Sequence, residues 1–413
     1  MTLTVTDVVE DISGRLIELR RDLHAHPELS FQEFRTAQVI ADRLNSLGCE
    51  VRSGMSGTGV VALLRGGRPG RTVGLRADID ALPISEVNPA EYSSRTEGVM
   101  HACGHDGHVA GLLGAAEALH AVRATLHGDV LLIFQPAEER AGGAKPMIDA
   151  GALSAPRPDA MFGVHIWNNL PAGIIGVKPG PIFAAADELE ITVKAPGGHG
   201  AMPHQTVDPI VVSAQIIQAL QTLISRETSP FDSAVVSICS VHGGSAFNII
   251  PPEVTLLGTV RTFDEALQAR MKQRIEVLVQ GITRGAGADY AFRYISPCPP
   301  VVNDPALAAF IRRVSEDEFG ADRVVIPLPT TGGDDMSYFL KEVPGVYFFV
   351  GGANAERGLN APHHNAHFDF DEIAVPTTAR ILARAAEEFL NNPDSAQLGE
   401  SRGQCFGRES ASG

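Results

Sequence analysis

No window of this sequence approaches the roughly 18 consecutive apolar residues of a membrane-spanning helix. The opening segment MTLTVTDVVEDISG is acidic and lacks the basic start and apolar run of an export signal. The chain is therefore expected to be soluble and cytoplasmic, with no membrane partner. Positive charge is also scarce. With 33 Lys+Arg against 49 Asp+Glu and a formal net charge of −16, there is no basic surface to hold a phosphate backbone, which excludes nucleic acid as a partner. Cysteine is sparse: Cys49, Cys103, Cys239, Cys298 and Cys405 are odd in number and widely scattered, as suits a reducing compartment rather than a disulfide framework. No G-x-G-x-x-G follows the first predicted strand, since GMSGTG at 54–59 has the wrong glycine spacing, and a dinucleotide-dependent oxidoreductase is set aside. There is no internal repeat.

What is present can build two cores, because 44% of 413 residues are hydrophobic. Helical and strand patterns alternate in the N-terminal part, predicting an α/β fold around a largely parallel sheet. Apolar runs at 59–64, 72–75, 130–134 and 160–166 read as strands, with a helix over 108–122 among them. Ser30 and Glu33 match a capping box for a helix whose apolar face is Phe34, Ala37, Ile40, Ala41 and Leu44. From about Ala186 the order becomes βαββαβ, the pattern of a ferredoxin-like layer, and after SPCPPVVNDP the α/β texture resumes. The expected organisation is a discontinuous catalytic domain, 1–185 and 298–392, with an inserted domain at 186–297 and a disordered tail at 393–413.

Histidine carries the chemical information. In MHACGHDGH, Cys103 and His105 stand two apart in a Gly-containing turn before a helix, a spacing that lets a thiolate and an imidazole face one ion. Such a pair is as often structural as ligating, so the segment alone does not decide. The strand DVLLIFQPAEER runs into Glu138 and Glu139, and AMFGVHIW brings His165 to the end of the next strand. Open α/β sheets place their sites at the carboxyl ends of strands, where one carboxylate can bind a metal while its neighbour handles a water. His363, His364 and His367 beside Asp369 lie at another sheet edge, and Asp78 and Asp80 follow the strand at 72–75, where a carboxylate can orient a ligating imidazole.

The motifs LRADIDALP, MHACGHDGHVA, FQPAEE with GGAKPMIDAGAL, GVHIW, GGHGAMPH, FNIIPP and GTVRTF, in this order, resemble the M20 family of metallopeptidases, in its aminoacylase, hippurate hydrolase and auxin-conjugate hydrolase branch. The resemblance covers about residues 10–392. It implies a zinc-peptidase-like catalytic domain with an inserted ferredoxin-like lid and dimerisation domain, hence a homodimer. It also implies two divalent metal ions, with Cys103, His105, Glu139, His165 and His364 as ligands, Glu138 as general base on a metal-activated water, and Asp80 as the carboxylate behind the ligands. His199 of GGHGA would polarise the scissile carbonyl, often in the partner's site, while Asn248 and Arg261 would hold substrate. The implied substrate is an N-acyl or N-aroyl amino acid, cleaved at its amide bond; the alternative is a dipeptidase. One departure loosens the choice of His364 over His363: relatives carry Pro where this chain has Ala366. A Cys ligand admits zinc or manganese, with cobalt or nickel also possible, but not calcium or magnesium.

Overall fold

The computed structural model describes residues 3–392, so the tail at 393–413, with Cys405, lies outside the described residues. The chain divides into two compact units. The first takes in residues up to Ile182, then Val302–Leu328 and the chain from Tyr338; the second takes in Phe183–Val301 and also Pro329–Ser337, a return segment that the sequence reading leaves with the first domain.

The first unit opens with α1 (Val5–Ala25) and α2 (Phe34–Ser46), then β1 (Glu50–Met55), β2 (Gly59–Leu64), β3 (Arg68–Asp78), α3 (His105–Val122), β4 (His127–Gln135), α4 (Ala144–Asp149), β5 (Ala160–Pro171), β6 (Ile175–Gly176) and β7 (Gly180–Phe183), which leads out of it. In the second unit follow β8 (Ala185–Lys194), β9 (Gly198–His199), α5 (Pro209–Thr222), β10 (Ala234–His242), β11 (Ile249–Ile250), β12 (Glu253–Thr262), α6 (Glu265–Ala286) and β13 (Asp289–Ile295). The chain returns through β14 (Val301–Asn303), α7 (Pro305–Phe319), β15 (Val324–Val325), α8 (Met336–Glu342), β16 (Gly345–Ala353) and α9 (Ala374–Asn391).

The first unit's sheet has the order β1-β2-β4-β3-β5-β16-β6-β15. Its centre, β4-β3-β5-β16, is parallel, and these strands are almost continuously apolar because both faces are covered. Register fixes the site: Asp78 opposes Gln135 on β4, and Arg76 opposes Gly163 on β5, so Asp78 is level with His165 at one carboxyl edge. Helix α3 is buried nearly all round, between the sheet, α1 and α9. That packing requires glycine: a Cβ on Gly111 would lie 2.5 Å from Thr378 of α9.

The second unit is β8-α5-β10-β12-α6-β13, with the antiparallel order β10-β12-β8-β13. Leu189, Ile191 and Val193 alternate along β8 toward Ile216, Leu220, Ile275 and Val279 of α5 and α6, so both helices cover one face of this sheet. A separate two-stranded ladder pairs β9 with β11.

Candidate metal centre

The expected donors at the carboxyl edge of the first unit's sheet come together. Cys103 Sγ lies 3.6 Å from His165 Nε2 and 3.7 Å from His363 Nδ1. His105 Nε2 lies 3.8 Å from Glu139 Oε1 and 3.9 Å from Glu138 Oε2, and His364 Nε2 lies 3.3 Å from Glu139 Oε2. Three donor groups result: Cys103–His165–His363, Cys103–Glu139–His364 and His105–Glu138–Glu139. Cys103 joins the first to the second and Glu139 the second to the third, so the groups form one continuous donor set.

Local backbone chemistry places each member. Gly104 adopts φ 88° between Cys103 and His105, a left-handed turn that starts α3 and that glycine enters without steric cost. Ala137 (φ 53°), Ala141 (φ 46°) and His364 (φ 60°) are non-glycine residues in that same costly region, and all three flank the donor set. Asp80 then fixes the glutamates: its Oδ1 accepts the backbone N–H of Glu138 and its Oδ2 that of Glu139, each at 3.1 Å. Ser30 Oγ donates to Asp80 Oδ2 at 2.7 Å, and Glu33 accepts from Thr58 Oγ1 and the N–H of Ala137. This corrects the capping-box expectation. Helix α2 takes no cap from Ser30 or Glu33, which are spent on the turn that carries Glu138; the Glu28 carboxylate instead accepts the N–H groups of Arg35 and Thr36.

The hydrogen-bond partners fix a ring proton on Nδ1 of His105, His165, His108 and His363 and sort these rings by what Nε2 faces. His105 Nδ1 faces the Asp80 carbonyl at 2.9 Å and its carboxylate at 3.3 Å, so Nδ1 carries a proton and Nε2 is the nitrogen turned to the glutamates. His165 Nδ1 donates to the Ile166 carbonyl at 2.7 Å, leaving Nε2 toward Cys103. His108 is different. Its Nε2 accepts the Ile166 N–H at 2.8 Å and its Nδ1 donates to Asp78 at 2.6 Å, so both nitrogens are engaged although Asp78, His105 and His108 lie close together. His363 Nε2 likewise accepts the N–H of Asn168 at 3.1 Å. His367 is exposed, and its N–H is held by Asn365.

Electrostatics describe a cluster short of positive charge. Burial disfavours protonated His105, yet Asp78, Asp80 and Glu139 outweigh it and raise its pKa to about 10. His165 goes the other way, pushed well down by burial and by His108 and His363. The buried atoms His105 Nε2 and Glu139 Oε1 have no hydrogen-bond partner among the described residues. Buried polar atoms are normally satisfied, so two unpartnered atoms in a cluster whose carboxylates draw positive charge to His105 suit a cation. Donors 3.3–3.9 Å apart also match two ligands each roughly 2.0–2.3 Å from a shared ion. The residues present thus fit a metal.

Behind this cluster lies a charged layer that the sequence reading misses. Arg20, fully buried, gives Nε to Asp106 at 2.7 Å and Nη2 to Asp369 at 2.6 Å, and its guanidinium lies 4.3 Å from the centre of the Phe370 ring. His24 joins Asp106 at 2.9 Å and Glu86 at 3.3 Å. The available signal is helical spacing: Arg20 shares the buried stripe of α1 with Leu16, Leu19 and Leu23.

His199, Asn248 and Arg261 belong to the second unit. His199 opposes Ile249 in the β9–β11 ladder, and the N–H of Gly200 donates to the Asn248 carbonyl at 2.8 Å, so these two residues are neighbours. Both are exposed. His199 Nδ1 accepts the N–H of Ala201 at 3.1 Å, which puts the ring proton on Nε2. Arg261 stands on a different sheet, opposite Ala186 on β8 and Val235 on β10.

Cys49, Cys103, Cys239 and Cys298 form no disulfide with one another, and no described helix is long and apolar enough to cross a membrane. The profile of peptidase family M20/M25/M40 matches residues 74–388. The chain is 46% identical over 297 residues to an N-acyl-L-amino acid amidohydrolase of Geobacillus stearothermophilus, covering 72% of this chain and 80% of that protein. It is 40% identical to thermostable carboxypeptidase 2 of Saccharolobus solfataricus, over 93% of this chain and 97% of that one. Among solved structures, the YXEP protein of Bacillus subtilis, described as a dinuclear metal-binding peptidase from the M20 family, superposes with TM-score 0.80 at 36% identity, covering 92% of this chain and 99% of that one. A family profile spanning both ends of the donor set, together with these identities, establishes that the chain belongs to the M20/M25/M40 peptidase family and is a hydrolase of carbon–nitrogen bonds.

Proposed function

We propose that this protein hydrolyses the amide bond of an N-acyl or N-aroyl amino acid, with Cys103, His105, Glu139, His165 and His364 holding two divalent ions and Glu138 acting as general base. The observation that carries the reading is the grip of Asp80 on the consecutive N–H groups of Glu138 and Glu139, which sets two adjacent carboxylates for separate tasks. When bound, the ions supply Lewis acidity that lowers the pKa of water and polarises a carbonyl. Glu138 takes the proton of the attacking water and returns it to the departing amine nitrogen. His199, protonated on Nε2, donates to the developing oxyanion, and Asn248 and Arg261 hold the substrate carboxylate. The sulfur of Cys103 favours zinc or manganese, with cobalt or nickel as further occupants.

In this reading the second unit is a lid and dimerisation module of a homodimer, and His199 serves the partner's site. Its exposed Phe231, Phe247, Ile249 and Val241, and the open edge of β10, support that role. Described cysteines that form no disulfide with one another, and an acidic surface, suit a cytoplasmic protein. The test is Glu138→Gln in metal-loaded protein. Metal content should hold while turnover falls by at least about 10²–10⁴; turnover near that of the parent would remove Glu138 from the mechanism. A second reading, a peptidase releasing amino acids from free dipeptides, is favoured by the similarity to the Saccharolobus carboxypeptidase. Comparing N-acetyl amino acids and hippurate with simple dipeptides, scored by release of free amine, decides between them.

A further inference from the structure

The pair His363-His364 presents two imidazoles to the donor set, and the hydrogen bonds around them are not equivalent. His364 Nε2 faces Glu139, and its backbone N–H is tied to the Ala102 carbonyl at 2.8 Å. His363 is turned toward Cys103 and enclosed: Trp167 stacks on its ring at 4.6 Å with an interplanar angle of 23°, and Phe368 closes the other approach at 4.8 Å. Proximity alone would make it a ligand, since Cys103, His165 and His363 form a donor group in their own right.

The backbone forbids that. The N–H of Asn168 points into His363 Nε2 at 3.1 Å, so this nitrogen must be the lone-pair side of the ring. Asn168 cannot rotate the bond away, because its side-chain amide is fastened to the carbonyls of Ala361 and Asp369. A neutral imidazole that accepts at Nε2 carries its proton on Nδ1, and a protonated nitrogen cannot coordinate a cation. The proton therefore faces Cys103, whose sulfur is 3.7 Å away and whose carbonyl also attracts it.

We infer that His363 is not a metal ligand but a positioning residue that donates an Nδ1–H hydrogen bond to the thiolate of Cys103, drawing charge from that sulfur and fixing its direction; this rests on the reading of Cys103 as a ligand. Thiolates that accept hydrogen bonds give less charge to their metal, which leaves the metal a stronger Lewis acid. His165, stacked edge-on to the same ring at 5.2 Å, is also protonated on Nδ1 but turns its lone-pair nitrogen Nε2 toward Cys103, and so remains the ligating imidazole on this side of the sulfur.

The experiment loads wild-type protein and the His363→Phe and His363→Gln variants with cobalt(II), then reads metal stoichiometry and the thiolate-to-cobalt charge-transfer absorption in the near ultraviolet. Phe keeps the stack on Trp167 and removes the donor; Gln can restore one. The expected result is an unchanged stoichiometry, a charge-transfer band moved to longer wavelength in His363→Phe, and a smaller movement in His363→Gln. Loss of one cobalt per chain in His363→Phe would make His363 a ligand and overturn the inference. An unchanged band at full stoichiometry would reduce His363 to packing and overturn it equally. Absence of the band in wild-type protein would instead strike the assignment of Cys103 as a ligand, and the inference would fall with it. Should the variants not fold, nitrogen-15 spectra of zinc-loaded wild-type protein decide: a proton on Nδ1 of His363 upholds the inference, and one on Nε2 overturns it.

Discussion

The donor set of the first unit and the β9–β11 ladder of the second were both expected to carry chemistry, and they are built on opposite plans. Around Cys103, the rings of His105, His165, His363 and His364 each have a nitrogen committed to a named partner or a facing carboxylate, and the N–H groups of Glu138 and Glu139 are held by the Asp80 carboxylate. The His199 ring has a single hydrogen bond among the described residues, from the N–H of Ala201, and otherwise open surface. A site that must hold a cluster of like charges against repulsion has to be over-determined and buried. A site that must meet a substrate has to keep its polar atoms outside. Losing a metal ligand or a buried ion partner should therefore cost metal content or stability in the first region, whereas losing an exposed side chain of the second should cost catalysis alone.

The largest effect should come from Cys103→Ala. It removes the residue shared by two donor groups, so metal content should fall by at least one ion per chain. Turnover should fall beyond the roughly 10–100-fold typical of losing an outer partner. Metal analysis after dialysis checks this, and a variant that retains both ions would detach Cys103 from the centre. Next comes Arg20→Met, which leaves Asp106 and Asp369 buried without their cation. Breaking a buried ion pair from one side costs roughly 3–5 kcal/mol. Urea unfolding of metal-free protein should show that loss, separating the charged layer's structural role from the metal's own contribution.

His199→Ala is the counterpart in the exposed ladder. Its side chain has little to lose, so unfolding free energy should stay within about 0.5 kcal/mol of the parent. The value of kcat/KM should drop by about 10²–10³, as when one oxyanion donor is removed. A variant that is as active as the parent, or one that is markedly destabilised, would break the contrast between the two regions.

The regions also differ in how far the sequence discloses them. Glu138 and Glu139 are legible because they follow an apolar strand, and the carboxyl edge of a parallel sheet is where such residues gather; His165 is legible from the apolar run before it, although β5 continues past it to Pro171 and so does not end there as the sequence suggests. The βαββαβ order is legible from alternating strands and amphipathic helices. His199, Asn248 and Arg261 are expected from resemblance, since glycine-rich loops and a strand-end Arg have no periodicity that names a role. What escapes altogether is non-local pairing. Ser30 and Glu33 spell a capping box, yet they bond to Asp80, Thr58 and Ala137, and no local rule anticipates a choice settled by tertiary contacts. The division of labour between His363 and His364 rests on the N–H of Asn168, far away in sequence.

His24 offers the finest test of how the buried layer is held. Burial and the charge of Arg20 oppose its protonation, but Asp106 and Glu86 prevail and raise its pKa to about 9 from 6.5. A group whose pKa is raised by folding binds its proton more tightly in the native state. Its contribution is therefore complete below pH 6.5 and disappears as pH climbs through about 9. The shift corresponds to on the order of 3 kcal/mol. Subtracting the unfolding free energy of His24→Asn from that of the parent isolates it from other titrating groups, and the difference should shrink steadily across that window. A difference that stays flat would mean His24 is held neutral, with Arg20 as the cation on which Asp106 depends. A difference that grows would mean the carboxylates fail to outweigh burial. Either result would place the cohesion of this layer in the single guanidinium rather than in the shared charge of Arg20 and His24.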